Sequence, residues 1–158
     1  MSYDPVSMAE FSVDIVAWND ARPLLRAVRE TVFVHEQRVP VAEEWDVFDE
    51  KSTHVLATDR NGSPIGTGRL LPDGHVGRMA VLAHWRGRGV GAALLERLLM
   101  EAKHHGHAKL LLNAQTHAVR FYERFGFEAV GDEFMEAGIP HRAMERVMRG
   151  PPWRVQSS

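Results

Sequence analysis

A chain of 158 residues, 44% hydrophobic and 25% charged, can bury roughly 70% of the surface its unfolded form exposes, as ordinary globular proteins do. A formal net charge of −2 gives no electrostatic ground for general nucleic-acid or membrane binding, and the lack of cysteine rules out disulfides, thiolate metal sites and a cysteine nucleophile. No apolar run approaches the ~20 residues of a membrane span, Met1 to Glu10 carries no basic-then-apolar leader, and the expectation is a cytoplasmic protein.

One domain is expected over residues 9–149, with 1–8 and 150–158 as short tails and Pro151-Pro152 as a stop. Phe11 to Val16 alternates as a strand. Asn19 or Asp20 can cap a helix that tolerates Pro23 in its first turn. Leu24, Leu25, Val28, Val32 and His35 follow helical spacing and carry that helix to about Glu36. An acidic, aromatic-studded loop, Pro40 to Glu50, comes next. Thr53 to Thr58 and Ile65 to Leu71 read as strands joined by a tight turn at Asn61-Gly62, and Pro72-Asp73-Gly74 leads to a third strand, His75 to Val81.

A glycine loop, Arg86-Gly87-Arg88-Gly89-Val90-Gly91-Ala92, follows that strand, and an apolar helical run to about His104 follows the loop. Leu110-Leu111-Leu112 suits a strand buried on both faces, as in a parallel pairing reached through a helix. Ala118, Phe121, Tyr122 and Phe125 share a helical stripe ending at Gly126, and Phe127 to Val130 and Ile139 to Met148 supply the last strands. The pattern predicts a mixed α/β fold in which an antiparallel meander becomes locally parallel around the strand–loop–helix unit.

That unit is built for an anion. The first N–H groups of a helix have no intrahelical partner, and the peptide dipoles favour negative charge beside them. Side chains at Gly87, Gly89 or Gly91 would hold a phosphate off, whereas Arg86 and Arg88 can add bonds from the rim. Gly87-x-Gly89-x-x-Ala92 also satisfies a dinucleotide fingerprint, but the next strand ends in Asn113-Ala114-Gln115 without the ribose-binding acid. A P-loop fails for want of Gly-Lys-Ser/Thr. The bland reading is a glycine-rich turn with solubilising arginines.

Arg86-x-x-Gly89-x-Gly91 after a strand ending in Val81 resembles the coenzyme A motif of the GNAT acyltransferases, with Asn113 and Phe121-Tyr122-Glu123-Arg124-Phe125-Gly126-Phe127 in support. Val32 to Gln37 with Pro40 to Asp46, and Glu136-Ala137-Gly138-Ile139-Pro140-His141, resemble the ElaA/YjcF-like branch of that family; Arg38 stands where that branch has glycine. The resemblance spans about residues 11–149. It implies the GNAT-like acyl-CoA N-acyltransferase fold, acetyl-CoA as co-substrate, an amine acceptor that is a small molecule or a peptide, and a homodimer. It further implies that Met79, Ala80 and Val81 hold the pantetheine arm and polarise the thioester, and that Arg86 to Ala92 (with Val90) and Asn113 complete the cofactor site.

Acetyl transfer to an amine needs an oxyanion site, a proton for the thiolate and a base for the ammonium. Tyr122 is the candidate general acid, since a phenol near ~10 and a thiol near ~8.5 are almost balanced; its place on an apolar stripe equally suits packing. Glu36, Glu44 and His75 are candidate bases or water relays, with Glu43, Asp46 and His141 also eligible, and the acids can equally form a solvated loop. Arg69 and Arg78 on strands would need carboxylate partners if inward-facing. His104, His105 and His107 lack the spacing of helical metal ligands, so no metal is expected. Without cysteine, transfer would be direct; the rival reading is a non-catalytic coenzyme A-binding or interaction module with the same fold.

Overall fold

The computed structural model describes residues 10–148; both expected tails and the expected bounds at 9 and 149 lie outside them. Strand β1 (Phe11–Val16) leads into helix α1 (Trp18–Arg29), which continues as π-helix over Glu30–Glu36. A short helix α2 (Val41–Glu44) and a 3-10 turn (Asp49–Lys51) precede strands β2 (Thr53–Asp59), β3 (Pro64–Leu70) and β4 (Val76–Val81). These form an antiparallel sheet in the order β1-β2-β3-β4. Helix α3 (Val90–His104), strand β5 (Lys109–Gln115), helix α4 (Val119–Glu123) and strands β6 (Glu128–Glu136) and β7 (Ile139–Val147) complete the fold, the last three strands pairing as β5-β7-β6.

Period-two alternation on β2 puts the two long helices on opposite faces of the first sheet. Val55 and Ala57 join the cluster around Leu94, Leu95 and Leu98 of α3, whereas Leu56 joins Trp18, Ala21 and Leu25 of α1. Those three α3 leucines are wholly buried, each worth about 2–3 kcal/mol of transfer free energy. Glycines on β3 let α3 approach: a Cβ at Gly66 would stand 2.9 Å from Leu94 Cδ1, and one at Gly68 2.9 Å from Leu98 Cδ1.

The sequence places α1 correctly but not its start. Ala17 is the N-cap, without a side-chain cap, and Asn19 and Asp20 lie within the first turn. Burial of Trp18 against His54, ring centroids 5.1 Å apart, draws the helix forward. The inward stripe also differs: Leu24 and His35 are exposed, while Arg29 is buried. Pro40 to Glu50 is not a plain loop, since it holds α2 and the 3-10 turn.

The parallel pairing is present but short. One bridge joins His75 to Leu111, with Leu111 N–H donating to the Gly74 carbonyl at 3.0 Å. Beyond it β5 pairs antiparallel with β7, so Leu111 is only half-buried while Leu110 and Leu112 are core. The strands therefore diverge, and the space between them is the site.

Candidate active site

A cavity of about 510 Å³ opens between β4 and β5, with Met79, Asn113, Tyr122, Glu44, His75 and His141 in its wall. The register explains how β4 serves it. Between Arg69↔Gly77 and Thr67↔Ala80, β4 has one residue more than β3, a bulge in which Arg78 takes φ 50°. Such a residue is released from the ladder and re-aims its neighbours. Thr67 Oγ1 donates to the Arg78 carbonyl at 3.1 Å and anchors the bulge. From Met79 in the cavity, β4 continues through buried Ala80 to Val81, whose Cγ2 is 3.9 Å from where a Gly91 Cβ would sit.

At the head of α3, Gly89 is the N-cap with φ 87° and no side-chain cap. A Cβ at Gly87 (φ 74°) or Gly89 would meet nothing within 4 Å, so positive φ, not internal crowding, calls for glycine at both. Gly91 differs: a Cβ there would touch Phe121 Cζ at 3.6 Å. An uncapped helix start behind an open glycine turn, with Val90 buried and Ala92 half-buried beneath it, fits a diphosphate. The rim arginines, however, already hold carboxylates. Arg86 grips Glu36 through two 2.6 Å bonds and donates Nε–H to the Val81 carbonyl. Arg88 bonds Glu10 at 2.7 Å and lies 4.0 Å over the Trp85 ring.

This pairing bears on Glu36 as a base. Its carboxylate lies outside the cavity lining, and the Arg86 hydrogen bond holds it below the ordinary carboxylate range, which makes it a weak proton acceptor. His75 lines the cavity mouth, with Nδ1 2.9 Å from Asp73. Glu44 is no solvated loop residue. Its side chain is 3% exposed and bonds Arg29 at 2.9 Å and Arg78 at 3.1 Å. Burial pushes its carboxyl above the ordinary range, while Arg78 and Arg29 pull against that.

Glu44 belongs to a buried ionic cluster beneath the cavity. Arg29 also bonds Asp49 at 2.8 Å, and Arg69 bonds Asp49 at 2.9 Å and Asp46 at 2.8 Å. Burial works against the Asp49 carboxylate, yet bonds and charge from Arg29, then Arg69, hold it below its ordinary range. His54 joins through Nε2–H to the Asp49 carbonyl at 2.7 Å, and burial keeps its pKa lowered. Arg69 and Arg78 thus have the carboxylate partners that inward-facing strand arginines require. Arg29, Asp49 and His54 were not singled out from sequence; one available signal was that Arg29 lies four residues after Leu25, on the buried stripe.

Tyr122 is 9% exposed, packed edge-on against Phe121 and Phe127 at 5.1 and 6.0 Å, and still reaches the cavity. Burial pushes its hydroxyl up to about 12. Asn113 donates from Nδ2 to Glu136 Oε1 at 3.2 Å.

Residues 20–148 match the family described as "Acetyltransferase (GNAT) domain". The chain belongs to the GNAT acetyltransferase family. It is 41% identical over 121 residues to the uncharacterized N-acetyltransferase YjcF of Bacillus subtilis, covering 74% of this chain and 86% of that one. An acyl-CoA N-acyltransferase from Pseudomonas aeruginosa superposes with a TM-score of 0.77 at 31% identity, covering 87% and 99% of the two chains. Escherichia coli ElaA gives 0.77 at 29% identity, covering 86% and 99%. This GNAT acetyltransferase therefore has the fold of acyl-CoA N-acyltransferases and is itself an acyltransferase. Among the described residues no group of His, Cys, Asp and Glu is arranged to hold a metal ion, and no helix is long and apolar enough to cross a membrane.

Proposed function

We propose that this enzyme transfers the acetyl group of acetyl-CoA directly to a primary amine within the single domain 9–149, in the cytoplasm. The observation that carries the reading is the meeting of Met79, Asn113 and Tyr122 in one cavity, where β4 and β5 part. The thioester supplies the activated acyl carbon. Backbone amides of β4 around Met79, Ala80 and Val81, beside the bulge, are the oxyanion donors, a role worth a few kcal/mol of barrier. Gly87 to Ala92 seat the diphosphate. Arg86 and Arg88 are exposed, so each can exchange a carboxylate for a phosphate at little cost.

Tyr122 is the proton donor to the departing sulfur. With its hydroxyl near 12 and an ordinary thiol near ~8.5, complete transfer in that fixed environment would be uphill by about 5 kcal/mol. The near balance expected from sequence therefore does not hold for Tyr122 by itself. A thiol drawn into the same dry space is pushed up by the same desolvation, which narrows the gap. Glu44 and His75 remain base or relay candidates from the cavity wall, and Glu36 holds Arg86.

Thiol release from acetyl-CoA across an amine panel tests the reading. Turnover should depend on amine, and Tyr122→Phe should lower kcat about 10²-fold while calorimetry shows coenzyme A affinity changed less than threefold. Coenzyme A binding without amine-dependent thiol release would favour the non-catalytic module instead.

A further inference from the structure

The β6–β7 hairpin closes through Ala137 and Gly138, both at positive φ (51° and 75°), the two-residue form whose twist matches its strands. That turn sets Glu136 opposite Ile139 and Phe134 opposite His141, while β5 sets Asn113 opposite Ala143. Strand alternation then puts Asn113, Phe134, Glu136 and His141 on one face of the second sheet. His141 is buried and stacked on Phe134, ring centroids 6.0 Å apart; Glu136 is open to solvent at the cavity mouth.

The hydrogen bonds fix which nitrogen is basic. His141 Nδ1 lies 2.7 Å from the Ile139 carbonyl oxygen, which can only accept, so Nδ1 carries the proton and neutral His141 presents a lone pair at Nε2. That lone pair stands 3.6 Å from Glu136 Oε2, while Oε1 is held by Asn113. With His141 in its neutral form the two face each other as acceptors, and a donor that reaches both from the cavity side removes their repulsion. An ammonium group, with three N–H donors and no acceptor, satisfies both.

Building on the acetyl-transfer reading, we propose that the acceptor is a cationic amine whose ammonium docks between Glu136 and His141, and that His141 Nε2 is the base that takes its proton. Nε2 removes one proton, and the freed nitrogen forms the C–N bond as the C–S bond breaks. The departing sulfur takes the Tyr122 proton, the second amine proton replaces it on Tyr122, and His141 releases its own to solvent. One proton is released overall. Around His141 the other ionisable groups in the cavity wall are Glu44, Arg69, His75, Arg78 and Tyr122. Gln115, opposite His141 on β5, is neutral and held by Gln37 at 2.8 Å.

The test uses the full chain with ¹⁵N-labelled histidine and butylamine hydrochloride as probe. At pH 7.5 the free protein should show His141 neutral, with Nε2 unprotonated. Butylammonium should move that resonance saturably, and Glu136→Gln should weaken the response at least tenfold. A doubly protonated His141 in the free protein, or an unresponsive one, overturns the proposal. In the kinetic arm His141→Gln should lower kcat about 10²-fold or more, abolish the acidic limb of the pH–rate profile and leave coenzyme A binding intact. Slowing by the same factor at every pH would mark a merely structural role and overturn the base assignment. If wild-type protein releases no thiol with any amine, the acetyl-transfer reading fails, whereas the butylamine titration still decides the ammonium site.

Discussion

Arg29 and Arg86 make almost the same interaction in opposite surroundings. Each grips carboxylates through short, paired bonds, Arg29 with Glu44 and Asp49, Arg86 with Glu36. Arg29 is 1% exposed in its side chain and Arg86 43%. Water screens the second pair, so it adds little to stability and can exchange its carboxylate for another anion at little cost. The first lies where charge is costly, and its attraction roughly offsets desolvation. Its value is positional: it ties α1, the 41–49 segment and the β4 bulge into one unit beneath the cavity. An exposed rim on one side and a buried floor on the other is a sensible division for a site that must admit a co-substrate and hold an acceptor.

The contrast can be broken by mutation. Arg29→Ala should have the largest effect, about 3–5 kcal/mol of lost stability in urea unfolding, because Glu44 and Asp49 stay buried with one guanidinium fewer each, Arg78 and Arg69 alone remaining to offset them. A loss below 1 kcal/mol would show that the cluster is not the floor described.

His54 gives the next effect, read through pH. Its folded pKa is lowered from the ordinary 6.5, so the unfolded chain binds the proton first as pH falls. Stability from this difference is full above pH 6.5 and is lost below it, with a slope approaching about 1.4 kcal/mol per pH unit. Glu44, with a raised pKa, acts in the opposite sense above its ordinary 4.5. Comparing wild type with His54→Gln between pH 7 and 5 isolates the histidine: the variant should show the shallower acid-side decline. Parallel curves would remove His54 from the linkage.

Glu36→Gln should matter least. Removing a surface partner should change stability by less than about 1 kcal/mol, and calorimetry should find coenzyme A bound equally well or slightly more tightly once Arg86 is released. A large destabilisation would erase the distinction between rim and floor.

How much of this was legible in the sequence follows the same division. The strand, glycine turn and helix of residues 76–104 were readable because their signals are local: positive-φ glycines, an uncapped helix start and an apolar stripe lie within a few turns of one another. Tyr122, Met79 and Asn113 were also named, by resemblance to the family, and the fold brings them to one cavity. The ionic floor was not readable. Arg29 meets Asp49 twenty positions away, and Arg78 meets Glu44 across thirty-four, and no local pattern says which carboxylate turns inward.

The sequence by itself determined the order of the strands and main helices, the likeness to the family and the glycine turn at the head of α3, because hydrophobic period, backbone φ preference and motif spacing act over short stretches of chain. Only the tertiary structure decided which charges are buried, that the rim arginines hold carboxylates, and that Glu136 and His141 face each other 3.6 Å apart at the cavity. Those outcomes depend on desolvation and on distances between strands, which exist only once the sheets have packed.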